Sequence, residues 1–277
     1  MTQPDMHWIK EDNMKVSIGQ VTSGTDKEAN IDAVAESARK AAAEGASLIV
    51  FPEFSMYKQP AADENFIKAG ESLDGPFVTA LKRAARENSI NIAAGMTERI
   101  DTENRVFNTT AIISGEGQLL GTYRKLHLYD SFGGQESKWV RPGNCDQNPV
   151  FDIDGIKFGF ATCYDLRFPE IARWLVDQGA EAIVLPTAWT PGLRKDDHWN
   201  TLTRARAIEN TAYFIAADLA PPFCPGGSLI IDPMGVILAQ APETAAVITA
   251  EISKERIQEV RKKNPALEHR RFKVVPA

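Results

Sequence analysis

The segment IKFGFATCYDLRFPE, residues 156–170, is an apolar strand that runs into a polar turn and then into a proline-opened helix. Ile156–Cys163, mostly apolar, reads as a strand. Pro169 to Gln178 recurs at helical spacing, and AIVLP at Ala182–Pro186 supplies the next strand. A strand, helix and strand in that order make the βα alternation of an α/β chain. Working outward, the grammar repeats. MKVSIGQV alternates from Met14, Lys27–Glu44 is a helix stopped by Gly45, and SLIVF (Ser47–Phe51) is a second buried strand. Pro76–Asn88 is a helix and NIAAGM (Asn91–Met96) a strand, followed by a hairpin about Gly115-Glu116-Gly117. Beyond Cys163 the order continues with helix His198–Glu209, strand Ala212–Asp218, three strand-like runs to Glu251, and a charged helix from Ser253 to Asn264.

Hairpins interrupt the βα alternation, so the pattern predicts an α/β fold with two sheets and helices outside. The 277 residues exceed one ordinary domain, at about 150 residues per domain, but no Pro/Ser-rich linker divides them. We expect one domain over residues 14–277, a flexible extension over 1–13, and a terminal helix and tail over 255–277. The tail holds Arg261, Lys262, Lys263, Arg270, Arg271 and Lys273. It reads as a solvated face, with a subunit interface as the alternative.

Composition narrows the function classes. Apolar residues are 43%, charged residues 25%, and the net charge is −6. That is globular usage without the basic face that nucleic acid requires. No apolar run approaches the ~18 residues of a membrane span, and residues 1–13 lack the pattern of a secretory signal. Three cysteines, at 145, 163 and 224, are odd in number and make no disulfide framework. A cytoplasmic protein is expected.

Three strands end in reactive residues: Glu53 after SLIVF, Lys125 after QLLGTY, and Cys163 after KFGFAT. Each alone has an ordinary explanation, as a helix cap, a solvated Arg-Lys pair and a small buried hydrophobe. Together they describe one site, because ligand crevices open at the carboxyl ends of strands. A nucleophilic thiol needs a base, which Glu53 offers. Lys125 and the backbone N–H of Tyr164 offer an oxyanion site. Acyl transfer from an amide uses all three roles.

These motifs resemble the nitrilase superfamily of carbon–nitrogen hydrolases. FPEFS is similar to its glutamate motif, YRKLHLYD to its lysine motif and CYDLRFPE to its cysteine motif, over Met14 to about residue 255. Glu136 in FGGQESKWVRPG matches a second glutamate of that family. The resemblance implies a four-layer α-β-β-α sandwich, a cysteine thioester, Glu53 as general base and Lys125 stabilising the tetrahedral intermediate. It also implies Glu136 assisting near the thiol, no metal or organic cofactor, and a homodimer or larger homo-oligomer. PTAWT, HW and RARAIEN look most like the branch of ω-amidase and deaminated-glutathione amidase, whose substrates pair a primary amide with a carboxylate. FCPGGS and Gly133-Gly134-Gln135 depart from that branch.

A carboxylate calls for cations, and Arg167, Arg173, Arg194 and Lys195 are near the motifs. Arg167 is a substrate-binding candidate, although an ion pair with Glu170 explains it more simply. Tyr129, Trp189 and His198 are candidates to line the pocket. Four other readings stay open. One is a Cys–His hydrolase using His127, and another an N-carbamoyl or nitrile hydrolase of the same superfamily. A third is a binding module that retains the fold. A dinucleotide site is the weakest, because Gly115, Gly117 and Gly121 miss the G-x-G-x-x-G spacing by one residue.

Overall fold

The computed structural model describes residues 13–276. The first sheet takes β1 (Asn13–Gln20), β2 (Leu48–Val50), β3 (Asn91–Arg99), β4 (Val106–Ile113) and β5 (Leu119–Arg124). The second takes β6 (Val150–Ile153), β7 (Ile156–Phe160), β8 (Ala182–Thr187), β9 (Tyr213–Asp218), β10 (Leu229–Ile231) and β11 (Ile237–Gln240). The last strand, β12 (Ala246–Ser253), returns to the first sheet beside β1. Spatial orders are β12-β1-β2-β3-β4-β5 and β11-β10-β9-β8-β7-β6. Each sheet has three parallel strands at its centre and antiparallel strands at its flanks.

The period of two along each strand decides the layers. Leu48 and Val50 of β2 join a core shared with Phe158, Phe160 and Val184 of the second sheet. Ile49, between them, packs instead with Val34 and Ala38 of α1 (Lys27–Ala43). That core also holds Phe77 and Leu81, which belong to a further helix, Pro76–Asn88. Across the molecule, Leu175 of helix Pro169–Asp177 and Ala207 of helix Lys195–Asn210 cover the second sheet. The result is the α-β-β-α sandwich expected from the sequence. One apolar run therefore serves two interfaces, which is why SLIVF shows no polar face.

Several local boundaries differ from expectation. Asn13 already pairs with Ser253, so β1 starts one residue early; the rest of the expected extension lies outside the described residues. A five-residue helix, Glu64–Lys68, is too short to show periodicity. The helix expected from His198 starts at Lys195, where Asp196 and Asp197 in the first turn suit its positive end. The hairpin about Gly115–Gly117 joins β4 to β5, with Gly117 at φ +79°. The basic tail is partly tied to its own chain. Arg261 donates to the carbonyls of Thr211 and Ala180, and Arg270 pairs with Asp177.

Candidate active site

Glu53 stands three residues beyond β2, where Phe54 takes φ +59°. The chain turns there against Gly95 of β3, whose N–H donates to the Pro52 carbonyl at 3.2 Å. A Cβ at position 95 would lie 2.6 Å from that carbonyl oxygen and 2.7 Å from the Glu53 Cα. Glycine is therefore the residue that lets β3 support the Glu53 turn. The Glu53 carboxylate is buried and fully engaged. Oε1 accepts from Lys125 Nζ at 3.0 Å and Asn108 Nδ2 at 2.6 Å, and Oε2 from the Ala188 N–H at 2.8 Å.

Lys125 is the first residue past β5 and is 2% exposed. Its Nζ donates to Glu136 Oε2 at 2.8 Å and Oε1 at 3.1 Å as well as to Glu53. Glu136 opens a short 3-10 turn, Glu136–Lys138, inside the long loop after β5. Its Oε2 also accepts the Tyr129 N–H at 2.6 Å, and Asn108 reaches its Oε1 at 3.1 Å. Burial opposes the charge on Lys125, but the two glutamates outweigh it and hold the ammonium well above its ordinary range. Among the described residues, Lys125 is thus a cation clamped between two anions.

The strand expected to reach Cys163 stops at Phe160. Thr162 and Asp165 cap each other and start a 3-10 turn, Cys163–Arg167, with Cys163 itself at φ +48°. A left-handed non-glycine residue costs on the order of 1–3 kcal/mol and persists only where its surroundings impose it. Asp165 imposes it here. Wholly buried, it accepts from the Thr162 N–H at 2.8 Å, the Tyr123 hydroxyl at 2.6 Å, the His127 N–H at 3.0 Å, and is 2.7 Å from His127 Nδ1.

The thiol of Cys163 faces the Ala188 carbonyl at 3.9 Å. Burial, then the Glu53 charge, push its pKa well up, and Lys125 only partly opposes them. At rest it is a protonated thiol, and a protonated thiol becomes a nucleophile only with the help of a base. Tyr164 lies in the first turn, where a backbone N–H has no partner within its own helix.

A cavity of about 490 Å³ brings these groups together: Glu53, Lys125, Glu136, Cys163 and Tyr164 line it, with Tyr129 and Trp189 as walls. His198 and Arg167 do not line it. Arg167 lies behind the wall, its guanidinium 5.1 Å from the ring centroids of both Trp189 and Phe132 and one nitrogen 3.3 Å from His198 Nδ1. The simpler account of Arg167 needs correcting, because Glu170 lies exposed on the next helix and, among the described residues, no ion pair joins the two. Arg173 is spent on the Glu209 carbonyl and Arg194 on Asp197, both away from the cavity. Lys195 does line it. His127 is held by Asp165 and stacked on Phe168 at 3.8 Å, outside the cavity lining. Among the described residues, no group of three or more His, Cys, Asp or Glu is arranged for a metal.

Asn108 and Asp165 were not singled out by sequence reasoning. Asn108 left a signal, a lone amide in the apolar strand VFNTTAII. Asp165 left a weaker one, an acid two residues past the thiol and in front of a buried leucine.

The chain and its fold have known counterparts. The family model for carbon–nitrogen hydrolases matches residues 15–262, and the chain belongs to that family, within the nitrilase superfamily. It is an enzyme of the carbon–nitrogen hydrolase class. Deaminated glutathione amidase of Escherichia coli O157:H7 is 38% identical over 260 residues, covering 94% of this chain and 98% of that protein. Omega-amidase NIT2 of Homo sapiens is 30% identical over 271 residues, covering 94% and 95%. The crystal structure of Saccharomyces cerevisiae Nit3, a member of branch 10 of the nitrilase superfamily, superposes with a TM-score of 0.84. Its identity is 30%, and the match covers 94% of this chain and 97% of that one.

Proposed function

We propose that the enzyme hydrolyses a small linear amide bearing a carboxylate, releasing ammonia and a carboxylic acid through a thioester on Cys163. Glu53 takes the thiol proton as sulfur attacks the carbonyl carbon. The oxyanion forms beside Lys125 Nζ and the Tyr164 N–H. Collapse breaks the C–N bond, and the amine leaves with the proton that Glu53 returns. Water then enters, Glu53 takes one of its protons, and the hydroxide attacks the thioester. The second collapse frees the acid, and the thiol regains its proton from Glu53. Glu136 balances the Lys125 charge throughout, while Tyr129 and Trp189 form walls and His198 and Arg167 back them.

The observation that carries this reading is the buried Glu53–Lys125–Glu136 cluster set against a buried thiol at φ +48°. The carboxylate-bearing substrate is supported by the relatives named as omega-amidase and deaminated glutathione amidase. An ammonia-release screen of ω-amides, N-carbamoyl compounds and nitriles tests it, with mass spectrometry of the enzyme after mixing. We expect turnover of ω-amides and an acyl adduct on Cys163. Preference for carbamoyl compounds or nitriles would move the enzyme to another branch. No adduct and no turnover across the panel would make it a binding module.

Three further proposals concern the setting. Residues 14–277 act as one domain, since both sheets share a core and both supply the cavity. The enzyme works in the cytoplasm, in keeping with three free cysteines, one of them exposed. It assembles as a homodimer or larger homo-oligomer, for which the exposed Met234, Val236, Ile237 and Leu238 at a sheet edge offer an apolar surface.

A further inference from the structure

The cavity holds a second buried lysine whose surroundings are the reverse of those of Lys125. Lys195 is 4% exposed and lines the same cavity. Lys125 has two carboxylates within hydrogen-bond distance, whereas among the described residues Lys195 has no ion pair. Its Nζ is instead boxed by rings, 4.3 Å from the centroid of Trp189, 5.0 Å from Phe132 and 5.2 Å from Tyr129. The Tyr129 hydroxyl is a distant partner at 3.5 Å. Arg167 shares two of those rings, and its Nε is buried without a partner. Two cations therefore occupy one aromatic box, and among the described residues no carboxylate is in ion-pair contact with Lys195; the buried Asp218 acts on it only from beyond that distance. Burial, then Arg167, depress the Lys195 pKa below its ordinary value, and Asp218 only partly opposes them.

Buried charges in proteins are paired or bind ions, so the Lys195 ammonium lacks an anion in direct contact. The backbone fixes where the anion must arrive. Lys195 opens its helix after Arg194 at φ +61°, and its carbonyl accepts the Trp189 indole N–H at 2.9 Å. The side chain thus projects from a locked position beside the wall of the pocket.

We propose that Lys195, boxed by Trp189, Tyr129 and Phe132, is the specificity residue that receives the substrate's carboxylate while the amide lies at Cys163. This rests on the amidase reading above and adds the residue that selects the anionic end. The carboxylate supplies the missing charge, accepts hydrogen bonds from Nζ and lowers the repulsion with Arg167. The rings alone attract any cation, but they do not satisfy the ammonium's donors.

The test compares Lys195→Met with the unmodified enzyme on succinamate and glutaramate against butanamide. The methionine keeps an unbranched apolar chain in the aromatic box and removes the ammonium with its charge and its donors. Loss of a charge-assisted hydrogen bond is expected to cut the carboxylate-over-neutral ratio of kcat/KM by about 10- to 100-fold, mainly through KM. A merely structural lysine would lower both substrates alike and leave that ratio in place, which overturns the proposal. An unmodified enzyme that prefers butanamide overturns it too, while the amidase reading survives. If no amide is turned over, the amidase reading fails by itself. Calorimetric binding of glutarate then decides the subsite: weaker binding to Lys195→Met supports it, and equal or absent binding to both proteins overturns it.

Discussion

Replacing Glu53 by glutamine separates the roles of its carboxylate. The three groups that donate to it are Lys125, Asn108 and the Ala188 N–H, arriving on both oxygens. A glutamine must turn its NH2 toward one of them, so a donor meets a donor in a buried site. That mismatch costs about 1–3 kcal/mol, or roughly 2–4 °C of Tm per kcal/mol at this size. Lys125 keeps Glu136 as counter-charge, so the variant should fold. Turnover should nevertheless fall by about 10²- to 10⁴-fold, the usual contribution of a general base.

The thiol should respond in the opposite sense. Glu53 is one of the groups that raise the Cys163 pKa, so its removal moves the thiol pKa down. Iodoacetamide labelling of Cys163 in Glu53→Gln should therefore reach half-maximal rate at a lower pH than in the unmodified enzyme. Ammonia release, thermal unfolding and a pH series of labelling read the three effects. His127→Asn is the control, since His127 is tied to Asp165 rather than aimed into the cavity; it should weaken turnover only modestly. A labelling midpoint that stays or rises, or a larger loss from His127→Asn than from Glu53→Gln, would refute the placement of Glu53 as the base.

Lys125→Met leaves Glu53 and Glu136 facing each other without their shared cation. Removing one side of a buried ion cluster costs about 3–5 kcal/mol, and denaturant unfolding should show a loss of that size together with loss of turnover. Gly95→Ala forces the Pro52–Glu53 turn off β3; turnover should drop at least tenfold by steady-state assay, while a Glu53 displaced by less than the hydrogen-bond tolerance would leave it intact. Cys224 is buried and its thiol pKa is raised, chiefly by burial. Above the unfolded thiol's ordinary pKa of 9.0 the unfolded chain therefore loses a proton that the native state keeps, so stability falls as pH rises. Cys224→Ala should flatten that slope between pH 9 and 11 by at most about 1.4 kcal/mol per pH unit, measured by urea unfolding.

Much of the site was legible because it is written in local patterns. Strand ends are visible in a sequence, and Glu53, Lys125 and Cys163 each follow an apolar run. Cys163 shows the limit of that reading. The run continues through Ala161 and Thr162, yet the strand stops at Phe160, because the Thr162–Asp165 cap imposes a turn. Glu136 has no such pattern around it and was reached through resemblance alone. Asp165 looked like an ordinary acid in a polar motif. Its importance lies in partners at Tyr123 and His127, on segments about 40 residues earlier in the chain.

By itself, the sequence determined the two-sheet α/β plan and the chemical types at the strand ends, since side-chain period and turn residues are local properties. Only the tertiary structure decided which cation neutralises which acid. Lys125 and Lys195 are both lysines beside a basic neighbour, Arg124 and Arg194, and both are buried in one cavity. One meets Glu53 and Glu136 across the β5 end; the other meets three rings and Arg167. The energy of a buried charge depends on what lies within a few ångströms of it, and those neighbours are brought there by sheet packing from distant parts of the chain.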